Sequence, residues 1–354
     1  MIPYVLVVLV PLIFDIFYVE KPALTPDNVK YNNRRRFRWL LLASLPMFIL
    51  IAFRAPVIGP DTGVYNLNFI EMVQKSWDDI DFNTRMEQGY LIFTKLITYI
   101  TQDVLVFQII YTAIYWIIIS DFANQLEKGN FFFLFIYATI GLYLFMFTGV
   151  RQCLAMCICL LSYRFIKKRK LIPFVILILL AVSFHKSAIL FLAAYILYAI
   201  RFNILTIFGY IVAAVIAYFN IGSIQEWFNN QLDYDYELQF AGNGYVAIII
   251  MFCVTAFSTF AVLNQPHRSK DVDGLLNIGI ITMMFWFLRL ATRTAERPSF
   301  YFMFFLAAIF TDSIEQTRTQ REHSIVKTIL VLLFLLYFIY RVTHVSSLTP
   351  YRFY

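Results

Sequence analysis

Long apolar runs and short polar turns alternate along nearly the whole chain. A helix takes about 20 apolar residues to cross a bilayer, and run after run approaches that length. The first covers residues 2–19, and a basic segment with Lys21, Lys30, Arg34, Arg35, Arg36 and Arg38 follows it. The second, 39–53, exits at Arg54. Residues 55–102 break the rhythm. They are polar up to Arg85, with Gly59-Pro60-Asp61-Thr62-Gly63 and Asp78-Asp79-Ile80-Asp81, and their apolar pieces, 64–73 and 90–101, are short, the second carrying Lys95. Both pieces read as juxtamembrane helices lying at the outer surface. Runs at 104–120, 131–148, 150–163, 171–184, 187–200, 204–218, 245–263, 275–289, 299–311 and 325–340 complete the series. The pattern predicts an all-α polytopic membrane protein of about twelve transmembrane helices. It forms one integral membrane domain, residues 1–354, with external stretches at 55–102 and 220–243.

Composition agrees. With 60% hydrophobic and 14% charged residues and a mean hydropathy of +0.70, a soluble domain would have to hide more apolar surface than it can bury. The excess of 29 Lys+Arg over 22 Asp+Glu invites a nucleic-acid partner. The basic residues, however, gather in turns between runs, where they set orientation. The knot Arg164-Phe165-Ile166-Lys167-Lys168-Arg169-Lys170, Arg201, the turn with His267, Arg268 and Lys270, and Arg318 with Arg321 then face the cytoplasm. The loop bearing Glu226, Asp233, Asp235 and Glu237 lies outside, as do both termini. The first run has no positive n-region and no cleavage site, so it is expected to remain as a span. Cys153, Cys157, Cys159 and Cys253 lie inside apolar runs and read as packing residues rather than disulfide or metal partners.

Once the inside charges are assigned, Arg54, Arg85, Arg151, Arg289, Arg293 and Arg297 remain on the outer side. The last three recur every four residues and would form one stripe on a continuing helix. A guanidinium at a membrane boundary is costly unless it is paired or serves a ligand. The plain alternatives are snorkelling and ion pairs with Asp61, Glu87 and Glu296. As a set, the arginines fit an anion reached from the membrane, a lipid diphosphate, because the guanidinium fork matches phosphate oxygens.

The runs at 150–163 and 171–184 form a hairpin around the basic knot, which returns Arg151 and His185 to one face. His185, beside Lys186, takes up a proton near neutrality and suits a general base, although taken alone it reads somewhat better as a capping or hydrogen-bonded structural histidine. Asp61 and Glu87 are carboxylates able to accept a proton from a sugar hydroxyl. Asp61 also suits helix capping. Asp79-Ile80-Asp81 has the spacing with which many nucleotide-sugar transferases hold a metal, but in a polar loop it reads as solvated surface. No metal site and no cofactor are assigned, and there is no phosphate-cradling loop, zinc spacing or Gly-x-Ser-x-Gly elbow.

Arg54…Gly59-Pro60-Asp61…Tyr65, then Glu87-x-Gly89-Tyr90, Arg151-Gln152-x-Leu154-Ala155 and Phe184-His185-x-Ser187-Ala188 stand in the order and spacing of the EpsG family's motif series. The chain resembles that family over residues 54–198, and more loosely through 275–297. The family belongs to the Wzy-like polymerases of bacterial capsule, exopolysaccharide and O-antigen synthesis. The resemblance implies joining of polyprenyl-diphosphate-linked oligosaccharide units, donor and acceptor alike, at the outer face of the bacterial cytoplasmic membrane. It also implies a GT-C-like, metal-independent architecture in which juxtamembrane helices follow an early span, with a chain-length regulator and a flippase as partners besides the bilayer. The alternatives are a lipid-linked glycan ligase and, from another class, a flippase or exporter. On this reading Arg151, Arg289 and Arg293 hold the donor diphosphate, with Arg54, Tyr65, Gln152, Lys186 and Arg297 completing the substrate-binding set. His185 is the base, with Asp61 and Glu87 in reserve.

Overall fold

A computed structural model describes residues 2–20, 26–232, 244–316, 319–344 and 347–354. In chain order the helices are α1 (Ile2–Phe17), α2 (Pro26–Ala43), α3 (Leu45–Ala52), α4 (Thr62–Gln74), α5 (Gln88–Thr98), α6 (Val104–Asn124), α7 (Asn130–Thr139), α8 (Leu142–Phe145) and α9 (Val150–Lys167). Then come α10 (Leu171–Phe184), a 3-10 helix (Lys186–Leu192), α11 (Ala193–Leu197), α12 (Ile204–Phe219), α13 (Ile221–Leu232), α14 (Tyr245–Leu263), α15 (Lys270–Leu288), α16 (Glu296–Glu315) and α17 (Gln320–His344). The described residues contain no strand, only an isolated antiparallel bridge between Arg54 and Phe353. The all-α expectation holds.

Helix lengths depart from the even series of crossings. Val104–Asn124, Tyr245–Leu263, Lys270–Leu288 and Arg321–His344 are each long and apolar enough to span a bilayer, which makes this a polytopic membrane protein. A fifth span arises if α12 and the first part of α13, bent by 76°, count as one. Other expected spans are broken for local reasons. The run 39–53 divides at Ser44, whose hydroxyl bonds back to the Leu40 carbonyl at 2.7 Å, while Pro46 removes an amide donor from the start of α3. The run 131–148 divides at Gly141, where φ is +115°. The run 187–200 starts as a 3-10 helix. The stretch 220–243, expected as a loop, holds helix α13; Asp233, Asp235 and Glu237, like Lys21 and Arg318, lie outside the described residues.

The chain divides into two compact units. Unit 1 comprises Met1–Leu161, Ser183–His185 and Ile314–Tyr354. Its core is α7, every residue of which is buried, packed against α1, α6 and α17. Here α4 and α5 pair with each other, and Lys95, the cation in an otherwise apolar piece, explains why. Its ammonium donates to the Met72 carbonyl at 3.0 Å and to that of Lys75, which closes the open end of α4. Unit 2 comprises Ser162–Val182 and Lys186–Ser313; in it α15 packs on α11, α12 and α14. Cys153, Cys157 and Cys159 are buried and free, and Cys253 is free and exposed.

Candidate functional site

Unit 1 gathers two of the candidate residues, Arg151 and His185, on the carboxylate of a third, Glu87. Glu87 stands at the N-cap of α5 with an extended backbone (φ −65°, ψ 144°), yet its side chain makes no cap. It reaches across instead: one oxygen lies 2.9 Å from His185 Nδ1 and the other accepts from the Arg151 guanidinium. Arg151 lies in the first turn of α9. His185 occupies the single-residue break between α10 and the 3-10 helix. The hairpin expectation is thus met at the level of side chains.

Close packing sets the spacing. A Cβ at Gly89, two residues past Glu87, would overlap Ser183, two residues before His185. Only glycine lets the start of α5 approach the end of α10 this closely. Sequence reading quoted Gly89 within a motif but gave it no packing role, and did not single out Ser183. The available signal was a glycine in the first turn of a helix, where most residues are better helix formers.

Arg151 is held on several sides. It also donates to the Arg85 carbonyl at 2.8 Å and to the Tyr65 hydroxyl, while its Nε is buried without a hydrogen-bond partner. Tyr65 packs edge-on against Tyr90, with ring centroids 5.7 Å apart. Burial pushes the Tyr65 hydroxyl's pKa up against the opposing pull of Arg151, so the phenol stays neutral. Burial would also raise the Glu87 carboxyl. The hydrogen bond and charge of His185, with the charge of Arg151, outweigh it and hold the group at about 2. Glu87 is therefore an anion at any physiological pH, fixed between the His185 imidazole and the Arg151 guanidinium.

Other candidates take different places. Arg54 is fully enclosed: it donates to Ile51 O at 2.6 Å, to the Tyr111 hydroxyl at 2.9 Å and to Thr62 Oγ1 at 3.1 Å. Its guanidinium also lies over the Tyr111 and Phe147 rings, at 5.8 and 5.7 Å from their centroids. The structure gives Arg54 a packing role: it closes α3 and ties it to the Gly59 turn. Gly59 has φ +89° and packs against the Phe147 carbonyl. Arg54→Met is expected to lower the melting temperature sharply, since hydrogen bonds from a charged group are worth about 1.5–3 kcal/mol each. Thermal unfolding in detergent checks this; an unchanged melting point would contradict the packing role.

Asp61 is partly exposed, precedes α4, and makes no side-chain cap. Gln152 is buried, and Lys186 is half-buried at the start of the 3-10 helix. Asp79 and Asp81 accept turn-closing hydrogen bonds from Ser76 and from the Asn83 amide, and no metal-binding cluster occurs among the described residues.

In unit 2 the arginine stripe is overturned. The helix α15 stops at Leu288, a 3-10 turn covers Arg293–Ala295, and α16 starts at Glu296. A helix running on would drive the Pro298 ring against the Thr294 carbonyl. Arg289 is buried, donates to Glu296 at 2.8 Å and lies 5.7 Å from the Trp286 ring centroid, while Arg293 and Arg297 are exposed. Each unit thus holds a buried or half-buried arginine on a glutamate.

A family model described as EpsG family matches residues 37–353, nearly the whole chain. The chain belongs to the EpsG family. The match takes in every candidate residue of this EpsG member, in both units. No curated protein and no solved structure matches it.

Proposed function

We propose that this EpsG-family protein is a glycosyltransferase that polymerises polyprenyl-diphosphate-linked oligosaccharide units at the outer face of a bacterial cytoplasmic membrane, without a metal ion. The observation that carries the reading is the Glu87 carboxylate shared by His185 and Arg151. In glycosyl transfer an acceptor hydroxyl oxygen bonds to the donor's anomeric carbon. The bond from that carbon to the diphosphate breaks, and the electron pair leaves with the phosphate. The hydroxyl proton goes to His185. With Nδ1 committed to Glu87, Nε2 is the nitrogen that accepts it, and the carboxylate stabilises the imidazolium that forms. Arg151 meets the charge growing on the departing diphosphate. Burial of His185, 6% exposed, keeps bulk water from competing with the sugar.

Within unit 2, Arg293 and Arg297 stand exposed, with guanidinium forks that match phosphate oxygens. Arg289 acts mainly through its pair with Glu296. A GT-C-like arrangement of about twelve crossings, some of them broken, completes the proposal.

Arg151→Lys keeps the charge and removes the fork. Polymer made by cells carrying this variant at normal expression is expected to fall about ten- to a hundredfold, the loss of a charge-assisted contact worth about 1.5–3 kcal/mol. Polymer of normal length and amount would leave Arg151 as a structural cation.

A further inference from the structure

Unit 2 carries a second charged surface that glycosyl transfer does not use. Three turns meet there: the basic knot after α9, the turn between α11 and α12, and the turn between α14 and α15. Lys167 bonds Asp271 at 2.6 Å, and the Tyr198 hydroxyl donates to the same carboxylate. Arg268 donates to the Phe202 carbonyl at 3.0 Å and lies 3.6 Å from Asp273. Arg169 donates to the Tyr195 carbonyl at 2.6 Å and sits 4.0 Å from that ring's centroid.

These contacts account for the acids. Asp271 and Asp273 are the only acidic residues in the three turns, and each faces one cation, Lys167 or Arg268. Lys168, Arg169, Lys170, Arg201 and Lys270 remain exposed. Arg169 holds φ +52°, a conformation glycine adopts far more easily. Apolar surface begins at the same level. Ile172 follows Lys170 by two residues, and Ile204 and Leu205 follow Arg201 closely; they are 74%, 75% and 75% exposed. Cations bordering bare aliphatic side chains match a molecule with an anionic head and hydrocarbon tails.

We propose that this end of unit 2 is a binding site for anionic phospholipid, with the phosphodiester held by Lys168, Arg169, Lys170, Arg201 and Lys270 and the acyl chains laid against the starts of α10 and α12. The bland alternative is that the cations only oriented the chain during insertion. Each cation near an anionic lipid surface contributes about fivefold in affinity, so the two readings differ measurably.

The test uses the full chain, purified and placed in phosphatidylcholine vesicles with a small fraction of spin-labelled phosphatidylglycerol or spin-labelled phosphatidylcholine. The wild type is expected to enrich labelled phosphatidylglycerol in its lipid shell severalfold and to lose the preference in high salt. Lys168→Gln/Lys170→Gln/Arg201→Gln is expected to weaken that association by on the order of a hundredfold. Lys168→Arg/Lys170→Arg, which keeps the charge, is expected to retain it. Equal enrichment of the two lipids by the wild type would overturn the proposal. So would loss of the preference on adding inorganic phosphate at matched ionic strength, since the site would then take free phosphate rather than lipid. Neither result bears on transfer at His185.

Discussion

Exchanging His185 for glutamine is expected to slow glycosyl transfer by about 10²–10⁴-fold, the usual contribution of a general base, while the protein stays folded and still binds its lipid-linked donor. Glutamine preserves a hydrogen-bonding group beside Glu87 but takes no proton near neutrality. The side chain is 8% exposed and bonded at 2.9 Å to a carboxylate that never protonates at neutral pH, so the imidazole is held in one orientation. The rate should fall in turnover and not in apparent donor affinity. Equal turnover in the glutamine variant would make His185 a structural partner of Glu87 and pass the base role to Asp61, whose carboxylate stands partly exposed at the start of α4.

Glu87→Ala is expected to be as damaging to transfer and, in addition, to destabilise the fold. Removing one member of a buried pair costs about 3–5 kcal/mol. Water reaches Arg151, whose side chain is 21% exposed, so the lower end applies. The pH dependence has a definite sign. A carboxylate whose folded pKa is depressed contributes stability that is complete above its ordinary value of 4.5 and drains as pH falls towards about 2. Thermal unfolding between pH 5 and 2 is therefore expected to show a steep loss in the wild type that Glu87→Gln largely removes. Because the two residues act through one hydrogen bond, Glu87→Gln/His185→Gln should transfer no more slowly than the worse single variant. Additive losses would mean that they work separately.

The sequence made the outline of this site legible through charge that had no topological purpose. Arg151 stood out as a charge that is expensive at a membrane boundary, His185 as a base beside Lys186 and Glu87 as a carboxylate, and the hairpin brought Arg151 and His185 together on paper. What could not be read was the division of labour. Hydropathy does not say that Glu87 sits between the other two, because that depends on α5 approaching α10 through Gly89 and Ser183. Arg54 looked like its neighbours in sequence, yet Tyr111 and Phe147, far along the chain, enclose it.

The fold shows the same limit. Uninterrupted runs such as 245–263 became the helices expected of them. Ser44, Pro46 and Gly141 are nearly neutral in hydropathy but decisive for backbone hydrogen bonding, so the breaks they cause were invisible to a count of apolar residues. For the arginine stripe the warning was present in Pro298, three residues inside α16, where a continuous helix cannot carry it.

The central claim is that one Glu87–His185 pair drives the joining of lipid-diphosphate-linked units. Its most direct test is to incubate the purified protein, in vesicles, with a single lipid-linked repeat unit and to follow chain length and release of polyprenyl diphosphate. Chains of two or more units are expected, with one diphosphate released per bond formed, and neither product from His185→Gln. Movement of the intact unit across the bilayer with no elongation, or elongation undiminished in His185→Gln, would contradict it.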